Sequence, residues 1–139
     1  MPLSITCTTL GVRSLPRSLK FYKALGFKAG HVSKEVVFFQ LNGSILSLFG
    51  ADDLAKDAGL PRGKARPGGM SLAINLPSKK AVDALTAKAK KAGAKVLRAP
   101  HEAFWGGYSA YFADPDGHPW ELAWNPFWKL DKKGSVSLK

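Results

Sequence analysis

The sequence predicts an α+β fold built from two βαβββ modules, and three observations carry that prediction. Apolar residues recur with a strand period, then a helix period, then a strand period again, and the whole pattern occurs twice. Leu15-Pro16, near the first helical start, is echoed by Leu76-Pro77 near the second. Between the halves the composition shifts to small, charged and turn-forming residues. Self-similarity at half the chain length argues for duplicated units whose sheets bury a common core, because either unit alone is too small to bury much apolar surface. A single domain over residues 1–139 is expected, with module one at about 4–50, a linker at about 51–69, module two at about 70–128 and a C-terminal tail at about 129–139.

The elements follow in order. Ile5 to Val12 is rich in β-branched residues and reads as a strand. Ser14 offers an N-cap, Pro16 suits a first helical turn, and Leu15, Leu19, Tyr22 and Leu25 recur at helical spacing until Gly26. A short strand over 28–33 precedes two strands, Val36 to Leu41 and Ile45 to Phe49, joined by Asn42-Gly43, a dipeptide in which both residues accept positive φ. The linker holds one short helix, Ala51 to Ala58. Ser71 to Leu76 then repeats the first strand, Ser78 can cap a helix, and Val82, Leu85 and Ala89 line one face until Gly93. Strands at 95–97, 108–113 and 120–124 complete the second module, the last two joined by Asp114-Pro115-Asp116-Gly117, a favoured turn composition.

Composition narrows the function. A chain of 139 residues with 45% hydrophobic content supports one core and no second domain of ordinary size. No apolar run approaches the roughly 20 residues that span a bilayer, and the first residues lack a secretory pattern, so a cytoplasmic protein without a membrane partner is expected. Cys7 is the sole cysteine and forms neither an internal disulfide nor a Cys-based metal framework. The net charge of +11 raises the question of nucleic acid. Much of it lies in Lys79, Lys80, Lys88, Lys90, Lys91 and Lys95, which read as a solvated helix face, and no nucleic-acid signature accompanies them. The cluster Arg62-Gly63-Lys64-Ala65-Arg66 could steer an anionic ligand. No nucleic-acid partner is expected.

Thr9-Leu10-Gly11-Val12, followed by Leu15, Arg17-Ser18-Leu19, Phe21-Tyr22 and Leu25-Gly26-Phe27, resembles the opening of the vicinal oxygen chelate superfamily. The run from Tyr111 to Leu122, YFADPDGHPWEL, resembles its closing hairpin, and the resemblance spans about residues 5–126. It implies two βαβββ modules forming a curved, open mixed β-sheet around a cavity with helices on the outer face, often in a homodimer. The superfamily includes glyoxalases, extradiol dioxygenases, antibiotic-resistance lyases and metal-free drug-sequestering proteins, so the fold is far better determined than the function.

The resemblance also implies where a metal would sit. Ligands in metal-dependent members come from the first and last strands of each module, positions that fall here near Cys7, Ser47, Ser71 and Glu121. Serine hydroxyls replace imidazole or carboxylate poorly, and although Cys7 could ligate as a thiolate, Cys7 plus Glu121 would leave the site short of ordinary protein ligands. His31, His101 and His118 lie elsewhere and read as surface or structural residues. Neither metal nor other cofactor is expected.

Strand alternation places Trp120, Leu122 and Trp124 on one face, with Glu121 and Ala123 on the other. Glu121 could accept hydrogen bonds from a ligand, bind its cation or serve as an acid or base; equally, it could be a solvated acid or pair with Arg13 or a lysine. Phe104-Trp105-Gly106-Gly107-Tyr108 reads either as a lid over the cavity or as a packed aromatic turn at the sheet or a dimer interface. Tyr111 is a further cavity candidate, and residues 124–128 read as a cover or a partner contact. The expected ligand-facing set is therefore Glu121, Trp105, Tyr108, Tyr111, Cys7, Ser47 and Ser71, with Glu121 the candidate for catalysis. The leading expectation is a metal-independent small-molecule-binding protein. A lyase, isomerase or dioxygenase-type enzyme using Glu121 with an atypical or absent metal site is the alternative, and a non-catalytic structural or regulatory dimer is the third.

Overall fold

Hydrophobic alternation in the strands and short apolar stripes on the helices produce two compact units, Met1–Pro67 and Gly68–Lys139, in a computed structural model. The structure describes residues 5, 7–63 and 70–137. Residues 64–66 of the basic cluster lie outside the described residues, as do the first four residues and the end of the linker.

The first unit contains β1 (Cys7–Val12), α1 (Leu15–Leu25), β2 (Ala29–Val32), β3 (Val36–Gln40), β4 (Ile45–Gly50) and α2 (Ala51–Asp57). Its sheet runs β1-β4-β3-β2, with β1 parallel to β4 and the other pairs antiparallel. The Ser14 hydroxyl accepts the Arg17 N–H at 3.3 Å, which satisfies one orphan donor of α1, and Gly26 ends the helix at φ 122°. The buried stripe of α1 is Ser18, Phe21, Tyr22 and Leu25, while Leu15 and Leu19 stay half-buried. Aromatic reach explains the difference from the leucine-based expectation. Tyr22 packs edge-on against Phe21 and Phe27 and contacts Phe39 from the sheet, forming an aromatic knot over Leu46 and Leu48. In the hairpin, Leu41 N–H donates to the Ser44 carbonyl, and only Gly43 adopts positive φ; Asn42 does not.

The second unit repeats the order: β5 (Leu72–Asn75), α3 (Lys79–Lys91), β6 (Lys95–Glu102), β7 (Tyr108–Ala113) and β8 (Pro119–Trp124), in a sheet β5-β8-β7-β6 with β5 parallel to β8. Each unit is thus a βαβββ module with an open, mixed sheet, and the architecture is α+β. Ser78 caps α3 by accepting the Ala81 N–H at 3.1 Å. Val82, Thr86 and Ala89 form the buried stripe, and the Thr86 hydroxyl donates to the Val82 carbonyl at 2.7 Å so that no donor is left unpaired beneath the helix. Leu85 is half-buried.

The helix packs over Phe112, Trp120 and Leu122, with the Phe112 and Trp120 rings stacked at 6.3 Å. Each fully buried side chain of this size contributes about 1.5–3 kcal/mol. The turn between β7 and β8 forms as expected: Asp114 is buried, its Oδ1 accepts the N–H groups of Asp116 and His118, and its carbonyl accepts Gly117 N–H. Two features exceed the expectation. Strand β6 extends five residues past Leu97, and the C-terminal tail contains a short hairpin, β9 (Lys129–Leu130) with β10 (Val136–Ser137). Its turn repeats the Asp114 device, since Asp131 Oδ1 accepts the N–H groups of Lys133 and Ser135.

Candidate functional site

The site is built on the sheet face of module two that α3 leaves uncovered. Trp120 and Leu122 of β8 are buried on the helix side, so the intervening Glu121 and Ala123 project to the opposite side. Register then places Ala73 of β5 and Tyr111 of β7 on either side of Glu121, and Asn75 and Ser109 on either side of Ala123. Ala73, Glu121 and Ala123 floor an open recess of about 430 Å³, walled by Trp105, Phe127 and Trp128 and edged by Asn75 and Asn125, with Tyr111 on the next strand beyond it. Asn125 shapes the wall: its Oδ1 accepts the Phe127 N–H at 2.9 Å and holds the turn that carries Phe127 and Trp128.

Trp105 is placed by missing side chains. A Cβ at Gly107 would lie 1.9 Å from Cζ3 of Trp105 and 2.5 Å from the Trp124 carbonyl oxygen, so only glycine lets the indole lie across the strand. Gly106 adopts φ 100° to close the hairpin, where Ala103 N–H donates to Gly107 O and Gly106 N–H donates to Ala103 O. The feet of this hairpin are pinned on the helix side. Tyr108 donates its hydroxyl to Asp83 of α3 at 2.7 Å, and Lys79 pairs with Glu102 at 2.7 Å while lying over the Tyr108 and Trp124 rings. The aromatic turn is therefore braced against α3.

Charge at the recess comes from Glu121 and from its neighbours across the strands. Tyr111 is paired with Glu121 in the register, and its hydroxyl pKa is raised above 10.0, first by burial and then by the neighbouring Glu121 carboxylate, with Arg98 acting in the opposite sense. Tyr108 is also raised, first through its hydrogen bond to Asp83. A carboxylate with a tyrosyl donor beside it and aromatic walls around it can bind a cationic or hydrogen-bond-donating group on a flat ligand.

Of the residues expected at the ligand, the structure brings Glu121, Tyr111 and Trp105 to this one side of module two. Tyr108 stands on the helix side with Asp83. Ser71 is exposed just before β5. In module one, Cys7 and Ser47 share a sheet face: Cys7 pairs with Ile45 and its Sγ lies 3.8 Å from Thr9 Oγ1, while Ser47 is buried between Thr9 and Phe38. Module two supplies one carboxylate, Glu121, and the exposed hydroxyl of Ser71, and module one supplies the Cys7 thiol and the Ser47 hydroxyl; neither pair by itself is the donor set of a divalent metal centre. Among the described residues no three His, Cys, Asp or Glu side chains group closely enough to hold one.

Sequence reasoning missed Arg98 and His101, which the register sets opposite Tyr111 and Ser109. The available signal was Pro100, because proline inside a strand marks an edge or a bulge. Two other recesses carry less chemistry. One of about 310 Å³, bounded by Pro77, Trp124, Pro126, Leu130 and Val136, has no titratable lining residue. An apolar groove of about 480 Å³ in module one, between Leu15, Leu19, Val32 and Val37, has Lys34 as its only charge.

Comparison with known proteins agrees with this architecture. The family profile described as Glyoxalase/Bleomycin resistance protein/Dioxygenase superfamily matches residues 4–122. A crystal structure of a glyoxalase-related enzyme from Fulvimarina pelagi is 36% identical, covers 96% of each chain and superposes with a TM-score of 0.91. A hypothetical protein from S. aureus is 28% identical over 90% of this chain and 95% of its own, with a TM-score of 0.78. A lactoylglutathione lyase from Agrobacterium tumefaciens, 23% identical over 89% and 95% of the two chains, shares the fold at a TM-score of 0.71. No curated protein matches this chain. No helix among the described residues is long and apolar enough to cross a membrane.

Proposed function

The chain belongs to the glyoxalase/bleomycin resistance protein/dioxygenase superfamily, and from that premise we propose that it is a metal-independent small-molecule-binding protein whose ligand occupies the Glu121 recess of module two. The observation that carries this reading is the recess itself: a single carboxylate beside Ala73 and Ala123, flanked by Trp105, Phe127 and Trp128. Small residues leave room on the floor and aromatic rings supply flat contact area, a combination suited to a planar ligand. Glu121 orients that ligand by accepting its hydrogen bonds. The exposed rings of Phe104, Phe127 and Trp128 are apolar surface of the kind that a homodimer buries, and self-association is part of the proposal.

The test combines metal analysis with binding. Tag-free protein is incubated with zinc, nickel, manganese or iron(II), dialysed and assayed for bound metal, in parallel with Glu121→Ala. A panel of flat aromatic compounds is titrated against the tryptophan fluorescence of both proteins. The expected outcome is no stoichiometric metal, with ligand-dependent quenching that Glu121→Ala removes. Stoichiometric metal that disappears in Glu121→Ala would overturn the metal-independent reading.

A second reading, a lyase, isomerase or dioxygenase-type enzyme, is favoured by the register, which sets the Tyr111 phenol on the strand beside the Glu121 carboxylate, and by the 36%-identical relative being described as an enzyme. Turnover that depends on Glu121 would select it.

A further inference from the structure

On the face of module two opposite α3 the register aligns Glu121, Tyr111 and Arg98 on three neighbouring strands, β8, β7 and β6. Regular alternation would not put Arg98 there. Val96 pairs with Phe112, whose ring stacks on Trp120 beneath α3, so two residues further along β6 Arg98 would face the helix as well. Instead the register shifts between Val96 and Arg98, setting an extra residue of β6 against β7 and turning Arg98 to the Tyr111 side. The shift is a repeated feature: in β2 of module one, the same displacement between Ala29 and His31 sets His31 opposite Phe38.

Arg98 is exposed, and among the described residues it meets no carboxylate at ion-pair distance. Glu121 lies on the other side of Tyr111 from Arg98, one strand away from it. Two opposite charges thus flank one aromatic ring without neutralising each other. Neighbouring strands lie about 4.8 Å apart, which separates the two backbones by roughly 10 Å and leaves both side chains room to reach the ends of one small molecule. A purely anionic ligand drawn by the positive chain is repelled at Glu121, and a purely cationic one is repelled at Arg98.

We infer that this site selects a dipolar small molecule: a flat body laid across Tyr111, a cationic or hydrogen-bond-donating group at Glu121 and an anionic group at Arg98. The inference rests on the reading of the Glu121 recess as a small-molecule site. The Tyr111 hydroxyl, whose pKa is raised first by burial, feels both charges as well, Glu121 raising it and Arg98 lowering it. Arg98 is a specificity-determining residue in this arrangement, because its planar fork suits a carboxylate or phosphate end group.

The experiment is an NMR titration of the 15N-labelled full chain, following the indole N–H signals of Trp105 and Trp128. Four matched probes share one ring: 4-(aminomethyl)benzoate, 4-methylbenzylamine, 4-methylbenzoate and 4-methylbenzyl alcohol. The dipolar probe is expected to bind about tenfold more tightly than either singly charged one. Arg98→Gln, an exposed and conservative change whose folding the same spectra report, removes that advantage and leaves 4-methylbenzylamine binding undiminished. Arg98→Glu shifts the preference to 4-methylbenzylamine. A dipolar probe no tighter than 4-methylbenzylamine, or an Arg98→Gln variant that weakens all four probes alike, overturns the inference. The recess reading survives that result if 4-methylbenzyl alcohol still moves the indole signals, whereas no shift with any of the four overturns both.

Discussion

The two modules share one backbone plan and differ on one face. Thr9, Ser47, Phe38 and His31 form a row across the sheet of module one, and Ala73, Glu121, Tyr111 and Arg98 form the corresponding row in module two. On the helix side the partners are alike in kind: Leu46 and Leu48 beneath α1, Trp120 and Leu122 beneath α3. On the other side module one shows a buried serine with His31 resting 5.7 Å from Phe38, whereas module two shows a carboxylate, a phenol and a guanidinium. The side that packs the helix is constrained by burial. The opposite side can change its chemistry without changing the fold, and the row in module two carries a carboxylate and a guanidinium there.

The strongest way to break that comparison is to exchange the central residues. Ser47→Glu puts a carboxylate into a position only 2% exposed and should cost about 3 kcal/mol in urea unfolding. The reverse change, Glu121→Ser, should stay within about 1 kcal/mol because Glu121 is half-buried and already meets solvent. Equal costs would show that the two faces are equally dry.

A smaller effect separates two strand glycines. Gly107→Ala forces its Cβ against the Trp124 carbonyl at 2.5 Å and displaces the Trp105 ring, which should lower stability by about 2 kcal/mol and shift tryptophan emission. Gly30→Ala in module one meets nothing closer than the Phe38 carbonyl at 3.8 Å and should be neutral within about 0.5 kcal/mol. Comparable losses would mean that the Trp105 cradle is not special to module two.

The smallest effect concerns pH. The hydroxyl of Tyr111 titrates above its ordinary 10.0, so its contribution to stability is complete below pH 10.0 and is lost as pH rises through the folded value. Tyr111→Phe should therefore lose less stability than the parent chain on the alkaline side, with the two curves parallel at neutral pH. Parallel curves throughout would mean that neither burial nor the Glu121 charge raises the Tyr111 hydroxyl in the folded chain.

The sequence made the modular order legible because helix ends and turns are written in local chemistry: Ser14, Gly26, Ser78 and the Asp114 turn each act through neighbours a few residues away. Glu121 was legible for the same reason, since strict alternation in β8 assigns its face. Arg98 and His101 were not, because a register shift is decided by pairing with β7 and leaves the alternation of β6 itself ambiguous. Tyr108 shows the limit in the other direction. Its place beside Trp105 in the sequence suggests a shared cavity, yet an intervening pair of glycines folds the hairpin so that Trp105 and Tyr108 serve opposite sides of the sheet. The C-terminal hairpin could have been found: Asp131-Lys132-Lys133-Gly134-Ser135 repeats the spacing of Asp114 to His118 and makes the same hydrogen bonds.

The shifts in β6 have one more consequence. This strand ends its sheet, and a straight edge would offer a foreign chain a regular ladder of free amide and carbonyl groups. Two irregularities within eight residues, the second containing Pro100, which lacks an N–H, break that ladder. The feature that turns Arg98 toward Tyr111 therefore also guards against runaway strand stacking, and it directs any self-association toward side-chain surfaces and away from this rim.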